Sequence, residues 1–256
     1  MLEAEFKHAV SGLPFAKTAY FSSAGSTNDI VAGWASEGAK EICLAYADEQ
    51  TKGRGRSGRS WLTPPGSALA FSILLNTALR LEPNLIGLVS GLGALAVCEA
   101  LELYQLTPEI KWPNDVLLAG KKTCGVLAEA QWSGMQLKAL VLGIGINVAP
   151  QSVPPQNLLN FPATCTEEAL GEKMDSAELL RRVLESLVAW KDRLNEPSFV
   201  ESWEKRLAYK GEFVRVEGSQ NVTEGKILGL AGDGRLRLLT NGEERALNIG
   251  EIQIRR

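Results

Sequence analysis

The chain has 256 residues, 45% hydrophobic and 22% charged, with a formal net charge of −3. That length holds one sizeable core with room for a small second domain, and the balance is that of an ordinary soluble globular protein. The slight negative charge argues against general nucleic-acid binding, which needs a basic face, and the single histidine, His8, leaves none from about Ser22 onward for a Ser-His-Asp triad and rules out histidine-rich metal sites.

Met1–Val10 carries acidic groups and no apolar core, so it is not a signal peptide. Ser26 or Thr27 can cap a helix running to about Ser36, with Gly38 just past its end. Ile42–Ala47 reads as a buried strand, and Ala68–Leu75 as another after the Pro64-Pro65-Gly66 turn. Pro83 suits the first turn of a helix from about Glu82 to Gln105. Its apolar run is interrupted by glycines, a serine and glutamates, which predicts a buried helix and not a membrane span. Proline forces a loop at Trp112-Pro113-Asn114-Asp115. Val116–Leu118 and Gly125–Gln131 then form a hairpin with Lys121 and Lys122 at or just after its tip. Met135–Val148 is a long strand carrying Gly143 and Gly145. The four prolines between Ala149 and Thr164 predict a mobile surface loop. Asp175 or Ser176 caps an amphipathic helix to about Asn195, and a shorter helix covers Phe199–Ala208.

After Tyr209 the pattern turns to short strands at Phe213–Val216, Thr223–Leu230, Leu236–Leu239 and Arg245–Ile249. Asp233-Gly234 and Asn241-Gly242 between them are hairpin signals. The expected fold is therefore α+β: a mixed sheet with flanking helices over 1–208, then a small SH3-like β-barrel over 209–256. Cys43, Cys98, Cys124 and Cys165 lie far apart with no CxxC spacing, which predicts buried free thiols in a reducing compartment.

The chemistry concentrates at residues 53–61, Gly-Arg-Gly-Arg-Ser-Gly-Arg-Ser-Trp. Arginine offers five donors in a fork suited to phosphate and carboxylate, and the glycines let the main chain approach a ligand closely. The loop is built to close over an anion, but it lacks the Gly-Lys-Ser/Thr ending of a Walker A loop. Read alone, it could also be a solvated turn or a nucleic-acid patch. Read alone, Ser26-Thr27-Asn28 is a helix cap, and Lys121-Lys122 an exposed hairpin pair.

Together and in this order, Ser26-Thr27-Asn28, Gln50, the Gly-Arg loop, Lys111-Trp112-Pro113-Asn114-Asp115 and Lys122-Thr123-Cys124-Gly125 resemble the biotin–protein ligases. The resemblance runs from about Ser22 to the C-terminus. It implies a class II synthetase-like catalytic domain, with ATP and Mg²⁺ consumed or required and biotin as substrate. Biotin becomes biotinyl-5′-AMP, which is passed to one lysine of a biotin carboxyl carrier domain. By the same resemblance, Ser26, Thr27, Asn28, Gln50, Gly53, Arg54 and Lys122 bind biotin. Arg54, Gly55, Arg56, Arg59, Lys111, Asn114 and Asn147 bind ATP or the adenylate, with Asn147 directed to adenine. Lys122, Arg56 and Asp115 are the catalytic set. Lys122 touches both the carboxylate and the α-phosphate, and Asp115 holds Mg²⁺ or positions the incoming amine. Trp61 and Trp112 receive no chemistry beyond packing the site.

Only 25 residues precede Ser26, too few for a winged helix-turn-helix, so a repressor role and DNA binding are not expected. A cytoplasmic enzyme with no membrane partner is expected, and exposed strands could pair two chains into a homodimer or dock the carrier. Lipoate or octanoyl ligases share the fold and reaction logic but lack the Gly-Arg loop and the Lys-Trp-Pro-Asn-Asp run. A non-enzymatic adenylate sensor or nucleic-acid binder is the alternative of another class.

Overall fold

The computed structural model describes residues 1–75, 86–134, 136–218, 221–248 and 250–253. Its larger sheet takes seven strands in the order β1-β2-β3-β7-β6-β5-β4. These are β1 (Lys17–Phe21), β2 (Cys43–Ala47), β3 (Ala68–Leu75), β4 (Pro108–Lys111), β5 (Asp115–Leu118), β6 (Lys121–Ser133) and β7 (Gln136–Asn147). β1 runs parallel to β2 and every other neighbour is antiparallel, which makes the sheet mixed, as expected.

Side chains alternate across a strand, so each strand serves two faces. Leu44, Tyr46, Phe71, Ile73, Leu142 and Ile144 join one large core with the helices α1 (Glu3–Val10), α3 (Ile86–Glu102) and α5 (Ser176–Trp190). The intervening residues Cys43, Ala45, Leu74, Ala139 and Val141 pack on the opposite face against Val31 and Trp34 of α2 (Thr27–Ser36). The glycine-punctuated apolar run is indeed a buried helix, α3, whereas Pro83 and the expected helix start at Glu82 lie outside the described residues. No described helix is long and apolar enough to cross a membrane.

Local signals set several boundaries. Asp175 caps α5, its carboxylate accepting the backbone N–H groups of Ala177 and Glu178. The β5–β6 hairpin turns through Ala119 and Gly120, both at positive φ, and Lys121 and Lys122 open β6. Two further short helices, α4 (Thr166–Leu170) and α6 (Pro197–Lys205), complete the larger unit. All four cysteines are free and buried.

The chain then forms an all-antiparallel five-stranded sheet of the expected SH3-like kind, in the order β11-β10-β9-β8-β12. Its strands are β8 (Phe213–Glu217), β9 (Val222–Leu230), β10 (Leu236–Thr240), β11 (Glu243–Leu247) and β12 (Glu251–Gln253). Asn241-Gly242 makes the predicted tight turn with both residues at positive φ. The expected strand end at Ile249 lies outside the described residues.

The Pro-rich segment is a loop with exposed residues such as Leu158, as expected, but it is also tied to the sheet: it makes two 3₁₀ turns, Pro150–Ser152 and Gln156–Leu158, and then pairs with β6. The Lys122 N–H donates to the Pro162 carbonyl at 2.8 Å, and the Thr164 N–H donates to the Lys122 carbonyl at 2.9 Å. Proline lacks an N–H but keeps its carbonyl, so Pro162 can still accept from the strand.

Candidate active site

The α2 face of the sheet opens into a cavity of about 770 Å³. Strand register explains the space. Ala70, Gly145, Gly125 and Asp115 lie in one row across β3, β7, β6 and β5, and Ser72, Gly143 and Leu127 in another. Three of these seven residues are glycines. A Cβ on Gly143 would overlap Asn28 Oδ1, and one on Gly145 would overlap the Trp61 indole. The glycines are needed because other groups lie directly on the strand backbone.

At one end, Ser26 is the N-cap of α2, yet its side chain makes no capping bond, which leaves its hydroxyl for the cavity. The Thr27 N–H donates to Gln50 Oε1 at 2.9 Å. Asn28 Nδ2 donates to the Glu129 carboxylate at 2.6 Å, and Asn28 Oδ1 accepts from Ser72 at 2.5 Å. Ser26, Thr27 and Asn28 are all buried. A short polar lining of this kind suits a neutral ring with both donors and acceptors.

The Gly-Arg loop arches over the cavity and is stapled to itself. The Gly55 N–H donates to the Arg59 carbonyl at 2.7 Å, and the Trp61 N–H donates to the Gly53 carbonyl at 2.9 Å. Its three arginines divide. Arg54 pairs with Asp29 at 2.7 Å and Glu129 at 3.1 Å. Arg56 donates to Asn114 Oδ1 at 3.0 Å and to the Gly250 carbonyl at 3.4 Å. Arg59 makes a two-pronged pair with Glu251 of β12. Burial pulls the Arg56 guanidinium below its ordinary value, partly offset by Asp115 and Glu251. The hydrogen bond from Arg59 holds Glu251 below the usual carboxylate range.

The other end of the cavity gathers the Lys-Trp-Pro-Asn-Asp run and Lys122. Lys122 Nζ lies 2.7 Å from Asp115 and 5.6 Å from the centre of the Trp61 ring. Lys111 is only 1% exposed, with its ammonium 4.1 Å from the Phe161 ring centre and 3.9 Å from Glu251. Burial lowers its pKa, while Asp115 and Glu251 oppose the shift. Asn114 Nδ2 donates to the Val126 carbonyl at 2.6 Å. Asn147 Nδ2 donates to the Thr164 carbonyl at 3.1 Å, so this amide group ties down the Pro-rich segment whose Phe161 lines the cavity.

Every residue given a binding or catalytic role in the sequence analysis therefore lines one cavity. Four participants were not anticipated: Ser72, Glu129, Phe161 and Glu251. The small sheet also touches the site, because Trp112 Nε1 donates to the Gly234 carbonyl at 3.0 Å. Among the described residues no group of three His, Cys, Asp or Glu could hold a metal by itself.

Comparison with known proteins agrees with this architecture. The Biotin/lipoate A/B protein ligase family model matches residues 20–147, and the Biotin protein ligase C terminal domain matches residues 211–255. The bifunctional ligase/repressor BirA of Bacillus subtilis is 31% identical over 92% of this chain and 73% of its own length. The biotin–[acetyl-CoA-carboxylase] ligase of Paracoccus denitrificans is 30% identical over 80% of this chain and 88% of its own length. Among solved structures, the Aquifex aeolicus biotin protein ligase in complex with biotin and ATP superposes with a TM-score of 0.76 at 33% identity. That alignment covers 94% of this chain and 100% of the other. With its catalytic sheet, its terminal domain and relatives along most of its length, the chain belongs to the biotin protein ligases of the biotin/lipoate A/B family.

Proposed function

We propose that this cavity carries out ATP-dependent biotinylation of a carrier protein. A biotin carboxylate oxygen attacks the α-phosphorus of ATP, the Pα–O–Pβ bond breaks, and pyrophosphate leaves. The ε-amine of a carrier lysine then attacks the acyl carbon of biotinyl-5′-AMP. An amide forms, the C–O bond to AMP breaks, and the amine loses a proton. The observation that carries the reading is the meeting of the polar ring-binding end, the arginine loop and Lys122 at one cavity.

Within it, Ser26, Thr27, Asn28, Gln50 and Gly53 form the biotin end. Lys122 stabilises charge shared by the carboxylate and the α-phosphate. Such a fixed donor is worth about 10²–10³ in rate when aimed at developing charge. Arg54, Gly55, Arg56 and Arg59 close over the adenylate and exclude water from the anhydride. Lys111, Asn114 and Asn147 shape the nucleotide end. Asp115 is one carboxylate, which fits Mg²⁺ when substrate phosphates supply most of the oxygens. Bound there, Mg²⁺ would neutralise phosphate charge.

The partner is the biotin carboxyl carrier domain of a biotin-dependent carboxylase. A cytoplasmic location, a homodimer through an open sheet edge and a domain boundary between 208 and 209 complete the proposal. The separation of the two sheets supports the boundary. The test is pyrophosphate release from Mg·ATP with biotin, lipoate, octanoate or no acid. Release with biotin alone is expected. Release with lipoate or octanoate would move the substrate, and no release with any acid would overturn the enzymatic reading.

A further inference from the structure

Behind the biotin end lies a chain of hydrogen bonds whose protons can be counted. The oxygens of Ser72 and Asn28 Oδ1 are 2.5 Å apart, those of Ser72 and Thr27 are 2.6 Å apart, and Thr27 Oγ1 is 3.1 Å from Gln50 Oε1. Both ends of this chain are acceptors only. Glu129 offers Asn28 a carboxylate, so the Asn28 NH₂ must face it and Oδ1 must face Ser72. Gln50 Oε1 already receives the Thr27 backbone N–H at 2.9 Å, which fixes its amide the same way.

Three oxygen–oxygen links therefore share two hydroxyl protons, one from Ser72 and one from Thr27. One link must do without. Leaving either short link empty would set two lone-pair oxygens together at 2.5 or 2.6 Å. The 3.1 Å link to Gln50 is the least unfavourable to leave empty. Ser72 then donates to Asn28 and Thr27 donates to Ser72. Thr27 Oγ1 and Gln50 Oε1 are left side by side in the cavity lining with lone pairs and no proton to give.

We infer that Ser72 and Glu129 are positioning residues that make Thr27 Oγ1 an obligate acceptor beside Gln50 Oε1, so that the site selects a cyclic urea through its ring N–H groups. This rests on the biotin reading above. Neither residue lines the cavity: Ser72 is fully buried in β3, and Glu129 lies beyond Asn28 on β6, beside Arg54. Removing the Ser72 hydroxyl would free the Thr27 proton to point at the ligand. Replacing Glu129 by glutamine would release the Asn28 amide to turn over and reverse the whole chain.

The experiment compares kcat/KM for pyrophosphate release with biotin and with the two cyclic carbamates in which one ring N–H is replaced by oxygen. Wild type should prefer biotin by about a hundredfold or more over at least one carbamate, because an oxygen there meets a lone pair. Ser72→Ala and Glu129→Gln should each narrow that ratio to about tenfold or less, with the KM for ATP within about twofold of wild type. Asp29→Asn removes the other carboxylate on Arg54 and should leave the ratio at the wild-type value. A wild-type ratio in both variants would overturn the inference, as would equal use of the carbamates by wild type. If Ser72→Ala does not fold, the half-exposed Glu129→Gln decides alone. Absence of biotin-dependent release in wild type would instead sink the functional reading, and this inference with it.

Discussion

The two faces of the seven-stranded sheet are made by alternate residues of the same strands, yet they do opposite things. Under α3 and α5, β7 presents Leu140, Leu142, Ile144 and Ile146, all buried in the main core. Toward α2 the same strand presents Ala139, Val141, Gly143 and Gly145, so side-chain volume falls to nothing as the strand reaches the cavity. One face is filled to stabilise the fold. The other is emptied so that Asn28 and Trp61 can lie against the backbone beside the cavity. The difference teaches that recognition here is built by removing side chains from one face while the other keeps the strand in place.

That division can be broken experimentally. Lys122→Ala should lower pyrophosphate release by about 10²–10³ with the thermal midpoint nearly unchanged. Unaltered adenylation would remove Lys122 from the mechanism. Leu142→Ala, on the filled face, should reduce stability by about 2–5 kcal/mol in denaturant titration. The biotin KM of the folded fraction should stay at the wild-type value, and a large KM change would mean the faces are not separable. Gly145→Val, on the emptied face, is the smallest effect and the sharpest contrast. It should raise the biotin KM about tenfold or more by displacing Trp61. Its stability cost should be about 1 kcal/mol, the low end for overpacking, because the indole belongs to a loop. A wild-type KM would show that Trp61 has no part in shaping the pocket.

Much of this was legible in the sequence because the signals are local. Asp175 caps α5, Asn241-Gly242 turns a hairpin, and β3 occupies the expected Ala68–Leu75. The site motifs were legible for another reason: their order resembles a family. What escaped reading depends on distant partners. A serine in Ala-Leu-Ala-Phe-Ser-Ile-Leu-Leu carries no mark of its function, which comes from Thr27 and Asn28, 45 and 44 positions away. Glu251 sits 192 positions from Arg59 and reads as a surface acid until β12 is paired with β8. The pairing of the Pro-rich loop with β6 leaves no mark in the sequence either, because prolines signal loops while their carbonyls remain free to accept from a strand.

The alternation along β7 also limits how the gene can change. Inserting one residue ahead of Gly143 would exchange the two faces from that point on. Ile144 and Ile146 would swing into the cavity, and the glycines would leave holes in the core. Insertions or deletions in this strand are tolerable only in pairs, or where a bulge absorbs the odd residue. The β6–β7 pairing already holds such an irregularity at Gln131/Trp132, well away from the cavity glycines. The outer end of the hairpin is thus where this protein's descendants can vary in length, and the stretch from Ala139 to Asn147 is where they cannot.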